Sequence, residues 1–160
     1  MSMQTDVLSK FVTASGAVTD SRYRIKGAWV SPTVATNPNP VFVDTSTAFT
    51  GTYSQTTTVI TVTSVNHGLV VGQRVALAIT SGSAASGGFA VTTTPDLDTF
   101  TVATPLTGTN SGNVTIYTRA YIEIAISALT QNMLLIPGEG VLASNGIFYV
   151  GISELTVFYG

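Results

Sequence analysis

Apolar residues recur at every second position along most of this chain, and that period limits the fold more than any other feature. The run TVITVTSV sets Ile60 and Val62 against Val59, Thr61, Thr63 and Val65. QRVALAIT sets Val75, Leu77 and Ile79 against Ala76 and Ala78. DTFTVAT puts Phe100 and Val102 on one face, and NVTIYT does the same for Val114 and Ile116. AYIEIAIS aligns Ile122, Ile124 and Ile126 with Glu123 opposite, and GIFYVGI and ELTVFYG close the chain. A period of two is the period of a β-strand, whose side chains alternate between faces. The residues are β-branched and aromatic, and Gly, Pro, Asn and Ser clusters bound the runs at short spacing, the pattern of a sandwich or barrel. The three- and four-residue spacing of an amphipathic helix is missing; SALTQN, Ser127–Asn132, is the one place a short helical turn would fit.

The expected class is therefore all-β. Residues 1–54 hold several Pro and most of the Lys and Arg, residues 55–118 form a Thr/Val/Gly tract with few charges, and large apolar residues return after 119. Each outer part holds too few strands for a stable sheet. The expected layout is a jelly-roll-like β-sandwich built from 1–54 and 119–160, with 55–118 inserted as a small β-barrel module. SGSAASGGF reads as a flexible hairpin tip of that module, over Gly82–Gly88. Trp29 falls on a strand in YRIKGAWV and is expected in the core.

Charge bounds the function. Only 9% of the 160 residues are charged, and the net charge is −2. Soluble domains average about 25% charged residues. So neutral a surface, rich in Thr, Ser and Gly, fits one covered by partners or by copies of itself; a plain β protein with a neutral hydroxyl surface is the blander alternative. The balance gives no electrostatic footprint for nucleic acid. No apolar stretch approaches the length of a membrane span. The start, MSMQTDVLSKFVTASG, lacks the apolar run of a signal peptide, so synthesis in the cytoplasm without export by a classical signal is expected. The one basic cluster, RYRIK, alternates Arg22, Arg24 and Lys26 on one strand face. It reads as a solvated face or as a grip for acidic groups on a partner. IPGEGV is a tight turn presenting Glu139, or a simple corner.

Little chemistry is left to distribute. The chain has no cysteine and one histidine. That histidine, His67, sits in NHGLVVGQRV between two alternating runs, where Asn, His and Gly all suit positive φ. A metal would need further ligands; the carboxylates available nearby in sequence, Asp96 and Asp98, lie in a turn of their own. No nucleophile elbow is present, SGSAASGG lacks the Lys of a phosphate loop, and Asp44, Glu123, Glu139 and Glu154 are scattered. No catalytic residue, cofactor or metal is expected.

The tract from Thr57 to Thr118 resembles a β module of tailed-phage virion proteins. The matching pieces are VITVTSVNHGLVVGQRVAL, SGGFAVTTTPDLDTFTV and SGNVTIY. That module is described as similar to the first catalytic-cysteine half-domain of ubiquitin-activating enzymes; with no cysteine, the likeness implies a shared β fold and no ubiquitin chemistry. The outer parts resemble small β-sandwich virion proteins of short-tailed phages, including those of cyanobacteria, through Met3–Val7, Thr13–Gly16, Arg24–Val30, Pro137–Val141 and Thr156–Gly160. The resemblance implies a capsid decoration (cement) protein on the virion surface, partnered by the major capsid protein. A homo-oligomer, a trimer by preference, is expected, with Arg22, Arg24, Lys26 and Glu139 as partner contacts. A tail adaptor or fibre-associated protein, or a module with weak host-surface glycan contact, is the alternative.

Overall fold

The computed structural model describes residues 7–32, 38–125 and 131–160. In chain order the strands are β1 (Leu8–Val12), β2 (Gly16–Thr19), β3 (Tyr23–Ser31), β4 (Val41–Val43), β5 (Ala48–Thr63), β6 (Arg74–Ile79), β7 (Gly87–Thr93), β8 (Thr99–Tyr117), β9 (Ala120–Glu123), β10 (Asn132–Leu135), β11 (Val141–Ala143), β12 (Ile147–Val150) and β13 (Glu154–Tyr159). The described residues contain no α-helix; one 3-10 turn, Thr45–Thr47, precedes β5. The all-β expectation from the period-two runs holds. Most of SALTQN, Ser127–Thr130, lies outside the described residues, as do Met3–Asp6.

Three antiparallel sheets form. The outer sheet runs β1-β13-β3-β10, with β11 also on β3. The middle sheet runs β2-β12-β4-β9. The third, β5-β8-β6-β7, uses only residues between Ala48 and Tyr117, whereas the first two draw on both sides of that segment. β8 pairs with β6 through its C-terminal end and with β7 through its N-terminal end, so the third sheet curls back on itself. Its longest ladder, β5 on β8, breaks between Thr57 and Val59, where Thr57 takes φ 54°. A buried amide satisfies the carbonyls freed at that corner: Gln55 Nε2 donates to Leu106 O (2.7 Å) and Thr57 O (2.9 Å). Asn110 then donates to Gln55 Oε1 and accepts from Tyr53 Oη.

The middle sheet is apolar on both faces. Phe42 of β4 and Ile147 and Tyr149 of β12 turn toward the outer sheet and meet Ile25, Ala28, Val30, Leu155 and Val157. Their neighbours Val41, Val43 and Val150 turn the other way, onto Ala76 and Ala78 of β6 and Tyr117 of β8. The third sheet keeps a core of its own, with Val75, Leu77, Phe89, Phe100, Val102, Val114 and Ile116. One alternating strand thus serves two cores: Val75 and Leu77 point inward, and Ala76 and Ala78 dock on the middle sheet. The two alanines are small enough to let the sheets approach.

Two expectations are corrected. Trp29 is not in the core but 45% exposed on the outer sheet. The cause is a bulge: β13 pairs Tyr159 with Ile25 but Phe158 with Gly27, skipping Lys26. An extra residue inverts the facing of everything after it. Ile25 points inward before the bulge, Ala28 and Val30 after it, and Trp29 is turned out. The Gly82–Gly88 segment is not a free hairpin tip either. Ala85, Ser86 and Gly87 are buried, Gly88 N–H donates to Asn39 O (2.8 Å), and β7 begins at Gly87. A Cβ on Gly88 would sit 2.7 Å from Val41 and 3.0 Å from the Glu123 carboxyl. This glycine therefore allows close approach rather than flexibility.

Val43→Ala should lower unfolding stability by about 2 kcal/mol, from the lost methyl groups and the cavity between the middle and third sheets. Val70→Ala, at a position 64% exposed, should leave it within about 0.5 kcal/mol. Urea denaturation of the two variants checks the contrast.

Candidate partner-binding surfaces

His67 stands in a turn between β5 and β6. Positive φ falls on its neighbours Asn66 (52°) and Gly68 (63°) and on Gly72 (87°), not on His67 itself. Its Nδ1 accepts the Leu69 N–H at 2.9 Å, and its ring meets Phe100 edge-on with centroids 5.1 Å apart. The Asp98 carboxylate accepts the Asn66 N–H (2.8 Å), and Asp96 accepts the Asp98 N–H (2.9 Å). That local bond is the main cause holding the Asp96 carboxyl below its usual value. These polar contacts all go to backbone N–H groups. Among the described residues no three His, Cys, Asp or Glu side chains form a metal-binding group.

Three of the four scattered acids each meet a different arginine. Glu123 receives both Nε and Nη2 of Arg74, a two-point bond between the middle and third sheets, and also the Asn39 amide (2.7 Å). This pair walls a cleft of about 240 Å³ with Val41 and Tyr117. Its charges are turned on each other. Glu139 lies 3.3 Å from Arg24, and Asp44 lies 3.7 Å from Arg119.

Asp44 is the most buried of these acids, 1% exposed, and stands where the chain leaves the middle sheet for β5. Its Oδ1 caps the 3-10 turn, accepting Ser46 N–H (2.9 Å) and Ser46 Oγ–H (2.7 Å), and Asn145 donates to both of its oxygens. Its own N–H donates to Arg119 O (3.1 Å), which fastens the entry of the third sheet to its exit. Burial acts to raise its pKa, but the bonds from Ser46 and Asn145 outweigh it and hold the carboxyl below 3.8.

The structure brings Arg24, Lys26 and Glu139 together and leaves Arg22 apart. Arg24 and Lys26 also donate to the carbonyls of Gly140 (3.3 Å) and Glu139 (2.9 Å), so the IPGEGV turn caps the basic stripe. Gly138 (φ 71°) and Gly140 (φ 80°) shape that turn. Arg22 precedes β3 and is exposed.

Sequence reasoning missed a larger feature. The outward face of the outer sheet carries two cross-strand rows. One joins Phe11, Thr156, Trp29 and Met133, and the other Ser9, Phe158, Gly27 and Leu135. Phe11, Met133 and Leu135 are 60, 63 and 69% exposed, and no row residue is charged. The signal was present: NMLL and LTVFY place apolar side chains on both faces of a strand.

No family model and no curated protein matches the chain. Among solved structures it is similar to a phage phi92 endosialidase, with 21% identity and a TM-score of 0.36, over 81% of this chain and 20% of that one. The chain thus spans about a fifth of that protein's length.

Asp44→Asn should cost about 1–3 kcal/mol at neutral pH, since the Ser46 and Asn145 donors lose a buried, charged acceptor. The folded pKa is depressed, so the stabilisation is complete above 3.8 and fades as pH falls through the lower folded value. Denaturation midpoints of wild type and variant should converge in acid. His67→Ala should cost about 1–2 kcal/mol through the lost turn acceptor and ring contact, measured the same way.

Proposed function

We propose that the chain is a structural, non-enzymatic protein of a tailed-phage virion. In this reading it is a capsid decoration protein that docks on the head through its two-layer sandwich and carries the β5–β8 body outward. One observation carries the reading: a broad uncharged face on the outer sheet of a chain whose arginines Arg24, Arg74 and Arg119 are paired with its own carboxylates. Such a surface suits packing into an assembly better than free solution. The motif resemblance of both chain parts to phage virion proteins supports it independently.

The partner here is the major capsid protein. The contact is assigned to the corner of the outer sheet that holds Arg24, Lys26 and the Glu139 turn, together with the exposed Arg22 that precedes β3, facing acidic groups on the shell. Rim charges of this kind act mainly on association rate and salt sensitivity. Phe89, the one aromatic near the glycine segment, is buried in the third sheet's core, so it offers no sugar platform.

Heads stripped of the protein and mixed with it should regain stoichiometric occupancy in a sedimentation assay. Replacing Arg22 and Arg24 with Ser should weaken rebinding about tenfold or more at low salt, and less at high salt. Full occupancy by the double variant would remove the assigned contact. Co-sedimentation with isolated tails rather than heads would replace the decoration role with that of a tail adaptor.

A further inference from the structure

We propose that the outward face of the outer sheet is a self-complementary contact that pairs two copies of this chain face to face around a two-fold axis. The two rows through Trp29 and Gly27 cross four strands, β1, β13, β3 and β10, about 14 Å in all at normal strand spacing. With Phe11, Trp29, Met133 and Leu135 each exposed by 45% or more, and Phe158 and Thr156 partly so, the patch offers roughly 500–600 Å² per copy. Two such patches bury about 1,100 Å², which clears the ~1,000 Å² needed for a specific interface. A patch this size is at the upper end of what monomers leave open.

Charge placement selects a second copy as the occupant. A two-fold contact sets each group against its mirror position and a group on the axis against itself, so a charge near the centre of the rows would face a like charge. The rows have none. The charges lie at opposite ends of the same face. Lys26, in the bulge, adjoins the Gly27 row at one end. At the other, Glu154 is exposed and paired in register with Ser31. A two-fold axis lying in the contact plane and running across the strands brings the Lys26 end of one copy over the Glu154 end of the other, and this is the axis proposed. The inward face of the same strands is filled by the sandwich core, so the pairing asks nothing of the fold.

The pairing does not depend on the virion reading and is tested in solution. Light scattering after size exclusion, at two concentrations, should give twice 16.6 kDa for the wild-type chain. Trp29→Glu with Met133→Glu puts two carboxylates on each face at exposed positions and should weaken dimerisation roughly a hundredfold or more, with melting temperature held. Thr156→Cys, near the proposed axis in a chain with no other cysteine, should give a disulfide-linked pair under mild oxidation. A wild-type monomer at both concentrations, or a three-fold particle, would overturn the proposal. So would dimers that survive the double substitution, or a Thr156→Cys chain that does not cross-link.

Discussion

The structure depends on a middle sheet that is apolar on both faces. β4 is only three residues long, and all three are buried: Phe42 on one side, Val41 and Val43 on the other. Each such side chain contributes about 1.5–3 kcal/mol on burial. A half-buried strand would have presented a polar face to water and left the β5–β8 body tethered only by its two connections. Here Val41, Val43 and Val150 need Ala76, Ala78 and Tyr117 as a cover. The Arg74–Glu123 pair and Asn39 then fix the register of the two layers at the edge of that apolar contact. The Asp44 network fixes the hinge through which the chain passes.

The little charge that the chain carries is largely bound internally, Arg24 with Glu139, Arg74 with Glu123 and Arg119 with Asp44. The exposed Glu139 pair with Arg24 adds little stability, since solvent screens it. Its consequence is shape: the glycine turn is held over the basic stripe, and Arg22 remains at the corner. The remaining surface is hydroxyl-rich, or apolar where the outer sheet faces away from its core. A protein with such a surface is suited to standing among neighbours, which links composition to the proposed place in an assembly.

Much of this was legible in the sequence. The inward sets Val75/Leu77 and Phe100/Val102 come directly from the two-residue period, as does the all-β class. His67 was legible as a turn residue, because Asn66 and Gly68 flank it and nearby carboxylates sit in a turn of their own. Trp29 was not, because one skipped residue at Lys26 inverts the facing of the rest of β3 and no local motif announces it. The Gly82–Gly88 segment misled for a related reason: glycine serves both flexibility and close approach, and only the position of Val41 and Glu123 decides between them. Arg74 and Glu123 are 49 residues apart, so their pairing is a product of the fold alone.

The coupling of the two cores through the middle sheet is tested most directly by scanning calorimetry of the intact chain, comparing the calorimetric with the van't Hoff enthalpy. A shared layer predicts one transition with the two enthalpies equal, because neither core keeps its cover when the other unfolds. Two resolved transitions, or a van't Hoff enthalpy near half the calorimetric one, would mean that the β5–β8 body and the sandwich stand independently and that the central contact does not bind them.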